Sequence, residues 1–157
     1  MEYAQNNQVP QPIVSKQSVR EIGGHRVDVV TYGFADKIVI LVSRDGNLGK
    51  MYNVPLISSA APQLFSFDNS FNDGDVFSLL PLNRLTPIPM LGASSDDIEG
   101  RIYAAQIASL ICRQSPEERR LVVIGMAHAH NPSDTITTSS RMEFIDILNL
   151  VGKCRVW

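Results

Sequence analysis

The chain has 157 residues, of which 44% are apolar and 19% charged, and its 14 basic and 16 acidic residues leave a formal net charge of −2. That length fits one domain and suffices to bury roughly 70% of the surface of the unfolded chain, so folding requires neither a metal nor a disulfide. Basic groupings as small as Arg119-Arg120 and Lys153 with Arg155 do not make a nucleic-acid surface, and no apolar run approaches the ~20 residues of a membrane span.

Residues 1–12, MEYAQNNQVPQP, offer few apolar anchors and read as a loose tail. They lack the basic and apolar stretches of a secretion signal, which points to an intracellular protein. From Ile13 the pattern becomes strand-like, and Gly23-Gly24 after Ile22 is a two-residue hairpin signal. The returning segment, HRVDVVTYGF, puts Val27, Val29, Thr31 and Gly33 on one face and Asp28, Val30, Tyr32 and Phe34 on the other. Neither face is uniformly polar, as expected of a strand covered on both sides. The β-branched run KIVILVSR follows and ends at the turn dipeptide Asp45-Gly46. Lys50 to Ile57 then reads as an answering strand, so four strands joined by short turns open the domain as antiparallel neighbours.

Between Ser58 and Ser95 the chain carries Pro62, Pro81, Pro87 and Pro89, with Phe65, Phe67, Phe71 and Phe77. This reads as a long loop followed by irregular strands near 76–82 and 85–91, which proline confines to an edge. Ser95-Asp96-Asp97 supplies caps for a helix through about Arg113, with Ile98, Ile102, Tyr103, Ala105, Ile107, Leu110 and Ile111 as its apolar face. Arg120 to Ala129 reads as a buried strand. Ser139 or Ser140 can cap a last helix whose buried side combines Met142, Ile145 and Leu148 with Phe144, Ile147 and Val151, and Gly152 lies where a C-cap is expected. Cys112 and Cys154 read as buried free thiols rather than a disulfide.

Each candidate for chemistry has a plain counterpart. His128 and His130, at i and i+2 of a strand, share a face and could hold zinc, with His25 or Asp134 as a third ligand. They equally suit the fraying end of a strand before Asn131-Pro132. Asp45-Gly-Asn-Leu-Gly49-Lys50 looks like a phosphate loop but opens onto β-rich sequence, not onto a helix N-terminus. There is no nucleophile elbow, and Asp96-Asp97 is accounted for as helix capping. The residues thus give catalysis no positive support. Partner contacts have two candidate sources: the exposed turn with Asp45, Asn47 and Lys50, and the Phe-rich loop. Phe65, Phe67 and Phe71 either fold down as a satellite core or stand out as aromatic anchors.

The order of segments resembles the proteasome assembly chaperone 3 family. The resemblance is carried by IVSKQSVREIGGHRVDVVTYGFADKIVILVSRDGNLGKM, the helix RIYAAQIASLIC, the strand RLVVIGMAHA and the closing Cys154-Arg155-Val156-Trp157. It covers about residues 13–57 and 86–157, and departs between about 60–82 and over 131–140, where this chain is longer. What the resemblance implies is one α+β domain over 13–157, a mostly antiparallel sheet of about six strands with two main helices packed on it. It implies a cytoplasmic chaperone, with the nucleus open as a second compartment, that binds 20S α-type subunits during α-ring formation and leaves before maturation. The expected partner is a related fourth-type chaperone in a heterodimer, a homodimer in isolation being left open, and no cofactor is needed. Two alternatives stand beside it: a small metal-dependent enzyme, or a scaffold component of another complex with the same fold.

Overall fold

Gly23 and Gly24, with φ of 59° and 76°, give the left-handed pair that a two-residue hairpin needs. They join strand β1 (Val14–Ile22) to β2 (His25–Gly33), which pair antiparallel over their whole length. The computed structural model describes residues 13–57, 81–127 and 138–157. The tail at 1–12, the Phe-rich loop with Phe65, Phe67, Phe71 and Phe77, and the His128/His130 pair with Asp134 lie outside the described residues.

The elements continue as β3 (Lys37–Arg44), β4 (Lys50–Val54), β5 (Ile88–Leu91), helix α1 (Ile98–Gln114), β6 (Leu121–Met126) and helix α2 (Thr138–Lys153). The described residues form one six-stranded sheet in the order β1-β2-β3-β6-β4-β5. Only the β3–β6 pair is parallel, so this is the expected α+β fold with a mostly antiparallel sheet.

The order corrects one expectation. β4 follows β3 after a short turn but does not pair with it, because β6 lies between them. Leu121–Met126 is apolar on nearly every residue and mostly buried. Such a strand is favoured at the middle of a sheet, with a neighbour on each side, whereas β4 carries Lys50 and Asn53 and tolerates a less central place. The turn at 45–49 closes on itself through an Arg44–Asn47 bridge, and Gly49 N–H donates to the Met126 carbonyl at 3.0 Å as the chain crosses the end of β6. The proline-bearing region also differs from expectation. Residues 81–87 form no strand, and β5 is four residues with Pro89 inside it at the sheet edge.

Cross-strand partners share a face, so the register sorts the side chains. Val27, Val29, Ile38, Ile40, Val42, Val122, Ile124, Tyr52 and Val54 point to one side and are buried there. Both helices cover that side: Lys50 reaches Asp97 of α1, while Arg44 and Arg20 reach Glu143 and Asp146 of α2. Ala104, Ile107, Ala108 and Ile111 are the sheet-facing residues of α1. Ala105, Ser109 and Cys112 are buried too, and Leu82 N–H donates to Ser109 Oγ at 2.8 Å as the segment before β5 passes this helix. Ile98 and Ile102, expected on the apolar face of α1, are exposed, as is Met142 of α2, while Leu150 is buried unexpectedly. Tyr103 and Phe144 stack across the helices with ring centroids 4.1 Å apart.

Two cap assignments change. Ser139 and Ser140 fall inside α2, which begins by Thr138. Gly152 also lies within α2, and it has no positive φ. A Cβ there would meet only Gln114 Nε2 at 3.6 Å and Leu110 Cδ2 at 3.9 Å. Asp97 does cap α1, its Oδ1 accepting from Gly100 N–H at 3.1 Å. Both cysteines are free and buried. Beyond α2, Val156 lies over Gly33, and Trp157 Nε1 donates to Gln114 Oε1 at 3.1 Å.

Candidate protein-binding face

Among the described residues, no helix lies over the second face of the sheet. Its side chains alternate with the core: Val30 and Tyr32 of β2, Val39 and Leu41 of β3, Leu121 and Val123 of β6, and Met51 of β4. Of these Val123 is buried and the others are half-buried. At the centre, Gly125 interrupts the run of branched residues. A Cβ there would stand 2.8 Å from Leu41 Cδ2, 3.7 Å from Leu48 Cδ2 and 3.8 Å from Met51 Cγ, so three apolar side chains converge over a missing one. Leu48 and Leu91 extend the patch toward the turn and β5, at 46% and 69% exposure.

Polar groups frame it. Arg26 Nε and Nη2 reach Asp28 at 3.0 and 3.2 Å at one end, and Lys37 lies at the other. Asn53 is on the same face, and its Oδ1 is buried without a hydrogen-bond partner among the described residues. An apolar centre with a polar surround is the composition of a protein–protein contact surface. A continuous apolar patch left uncovered by the described residues is a candidate interaction site.

The turn residues expected to contact a partner have internal duties. Asp45 has φ 49° and ties two turns together. Its Oδ2 lies 2.6 Å from His25 Nδ1, its Oδ1 accepts from Arg26 N–H at 3.0 Å, and its own N–H donates to the Arg26 carbonyl at 2.8 Å. The His25 contact, with the Arg26 N–H bond, holds the Asp45 carboxyl below the usual range. Asn47 is exposed, its Nδ2 donating to the Asp45 carbonyl at 3.3 Å. Lys50 points to the helix side, where its Nζ lies 2.6 Å from Asp97 Oδ2. Tyr52 OH donates to the same oxygen. Burial pulls the Asp97 pKa up, but the donors from Lys50, Tyr52 and Gly100 outweigh it and hold the carboxyl below its ordinary value. Burial and the Asp97 carboxylate push the Tyr52 phenol up. This trio fastens α1 to β4 and faces away from the candidate surface.

Little else offers chemistry. No group of three or more metal-binding side chains occurs among the described residues, and no helix among them is long and apolar enough to cross a membrane. A cavity of about 60 Å³ lies between α2 and the sheet, lined by Ile22, Val27, Val42, Met126, Phe144 and Ile147 among others, with Arg44 and Glu143 paired at 3.7 Å in its wall. Its volume is far below the ~300 Å³ at which cofactor and substrate sites begin. Desolvation raises the pKa of both buried thiols, which makes them poor nucleophiles.

The architecture is shared with a chain of a solved complex described as a novel chaperone complex for yeast 20S proteasome assembly. The two superpose with a TM-score of 0.61 at 16% identity, over 89% of this chain and 97% of that one. At that identity the likeness is one of fold. No protein-family model matches the sequence, and no curated protein matches it.

The candidate face is not among the residues singled out from the sequence, but a signal for it existed. Val30 and Tyr32 on the face opposite Val27 and Val29 mark β2 as a strand apolar on both sides, while the two described helices cover only one.

Proposed function

We propose that this chain is a non-enzymatic assembly chaperone of the 20S proteasome. It pairs through its helix-free sheet face with a related chaperone chain of the same fold. The pair holds α-type subunits in register during α-ring formation and leaves before maturation. The carrying observation is the open apolar face around Gly125 in a fold shared, over nearly the whole of the other chain, with a member of a proteasome-assembly chaperone complex. A chaperone of this kind acts by binding alone: it lowers the entropic cost of bringing subunits together and occludes wrong contacts until a later subunit competes for the surface.

A sheet face is suited to pairing with another sheet, since two such faces interdigitate at about 10 Å separation with no change of backbone. The polar surround of Arg26, Asp28 and Lys37 then sets orientation more than affinity. Cytoplasmic residence, with entry to the nucleus, and a single domain over 13–157 belong to the same proposal. The test is affinity purification of the tagged chain from cell extract with identification of what accompanies it. Recovery of a similar-sized chaperone chain and of α-type subunits without mature β-type subunits supports the proposal. Recovery of an unrelated complex, or of neither class, refutes it.

A further inference from the structure

The two edges of the sheet are built differently. At the β5 edge the strand is four residues long, contains Pro89, and shifts register against β4 between Met51 and Tyr52. Shortness, proline and a bulge are the devices that blunt an edge against further pairing. At the other edge, β1 runs nine residues with no proline, glycine or register break, and Ile22 is its only buried residue. Val14 and Val19 are exposed at 57% and 47%.

The hairpin fixes which backbone groups of β1 are free. Ile22 and His25 close a two-residue turn, and the closing pair exchanges both of its hydrogen bonds. Alternation then directs the N–H and C=O groups of Val14, Lys16, Ser18, Arg20 and Ile22 into β2, and those of Ser15, Gln17, Val19 and Glu21 outward. Four consecutive outward-facing dipeptide units make a template for another strand.

Side chains specify what the strand should carry. Lys16 and Arg20 lie on the helix-side row, four residues apart and thus about 13 Å along the strand. Lys16 forms no ion pair among the described residues, and Arg20, 53% exposed, makes only a long 3.6 Å contact with Asp146. A second copy of this chain is a poor occupant. The two-fold antiparallel register of greatest overlap, centred on Ser18, sets Lys16 against Arg20 twice, and like charges directly opposite are destabilising.

We propose that the outer edge of β1 is a strand-addition site for an extended segment of a partner protein bearing acidic side chains four residues apart. Backbone pairing with Ser15, Gln17, Val19 and Glu21 supplies affinity, and carboxylates opposite Lys16 and Arg20 supply register. This edge is distinct from the helix-free face, so the proposal stands or falls separately from the pairing of that face.

The probe is a labelled, end-capped nonapeptide of alternating Thr and Val with Glu at its third and seventh positions, titrated into the full chain. Its binding is followed by anisotropy, and amide exchange is followed residue by residue. Expected are saturable, salt-sensitive binding and slowing by about tenfold of exchange at Gln17 and Val19, with Lys16, Ser18 and Arg20 unchanged. Lys in place of both Glu residues should weaken binding by about threefold to tenfold. Val19→Pro removes an outward N–H that the sheet does not use, so it should keep the fold and the pairing with a chaperone partner while abolishing peptide binding. Peptide binding unaffected by Val19→Pro, or binding without protection at Gln17 and Val19, overturns the proposal. So does protection of those amides in the peptide-free chain, whether it depends on protein concentration (a second copy) or not (the chain's own tail).

Discussion

Leu41→Glu isolates the helix-free face as a binding surface. Leu41 is half-buried, and its Cδ2 occupies the space that a side chain on Gly125 would fill. In the unpaired chain a glutamate keeps part of the aliphatic stem on the sheet and turns its carboxylate to water, a loss of about 1 kcal/mol. For a chain of this size that lowers the melting temperature by about 2–4 °C. In the proposed paired state the same carboxylate would be desolvated beside Leu48 and Met51, and a buried charge left uncompensated costs about 3–5 kcal/mol. The difference, about 2–4 kcal/mol, weakens pairing by about 30- to 1,000-fold. Co-expression with the related chaperone chain, followed by sedimentation equilibrium and a thermal melt, reads both quantities. Met142→Glu, at an exposed site on α2 over the opposite face, is the matched control and should leave both unchanged. A dissociation constant within about threefold of wild type for Leu41→Glu would refute the assignment of this face, because the desolvation term has no means of being that small.

Three further outcomes follow from the helix side and the chain ends. Tyr52→Phe removes one donor from Asp97 while leaving Lys50 and the Gly100 N–H, and should lower stability by about 1–2 kcal/mol, with the melting temperature reporting it and pairing unaffected. The Arg120 guanidinium hydrogen-bonds Glu118 and lowers its pKa from 4.5 to about 2. Because the folded value is depressed, the stabilisation is present above the unfolded pKa and is lost as pH falls through the folded one. Denaturant melts should lose about 1–2 kcal/mol between pH 4.5 and 2 after allowance for solvent screening at this partly exposed pair, and Glu118→Gln should remove that limb. Gly152→Ala should raise stability by about 0.5–1 kcal/mol, since a Cβ fits at ordinary contact distance and alanine loses less entropy in a helix; a decrease in the denaturation midpoint would restore glycine to a terminating role.

Much of the fold is legible in local sequence, for reasons that can be named. Gly23-Gly24 specifies its hairpin by backbone freedom alone, and Asp97 specifies the start of α1 by supplying a carboxylate to an orphan N–H. The sheet order was not legible. The short turn after Asp45-Gly46 signals a hairpin, but turn chemistry constrains only where the chain reverses, not which strand it meets. β6 enters between β3 and β4 because Leu121–Met126 must be flanked on both sides, a demand set by a segment some 70 residues further on. The faces of α1 were misjudged for a related reason. Apolar residues run almost all round this helix, and periodicity cannot tell that Leu82 meets Ser109 while Ile98 and Ile102 stay bare.

The proposed binding face shows a pattern that is legible in the sequence and a cause that is not. Alternation in β2 shows apolar residues in both phases, and a single chain satisfies such a strand by placing a layer on each side. The described residues hold two helices, of 17 and 16 residues, and both lie on the Val27–Val29 side. Hydrophobic pattern reports that a surface is shielded from water; it carries no information about whether the shield belongs to the same chain. Turn chemistry singles out Asp45 and Lys50 rather than this face for the complementary reason. Asp45 and Lys50 are charged and flank a turn, which makes them look available, yet each has a partner within 3 Å: His25 for the Asp45 carboxylate, joining two turns, and Asp97 for the Lys50 ammonium, fastening α1 to β4. Leu48, between them, is the residue that turns outward to join Leu41 and Met51. On the proposed reading, the informative residues are therefore the apolar ones that the described helices leave uncovered.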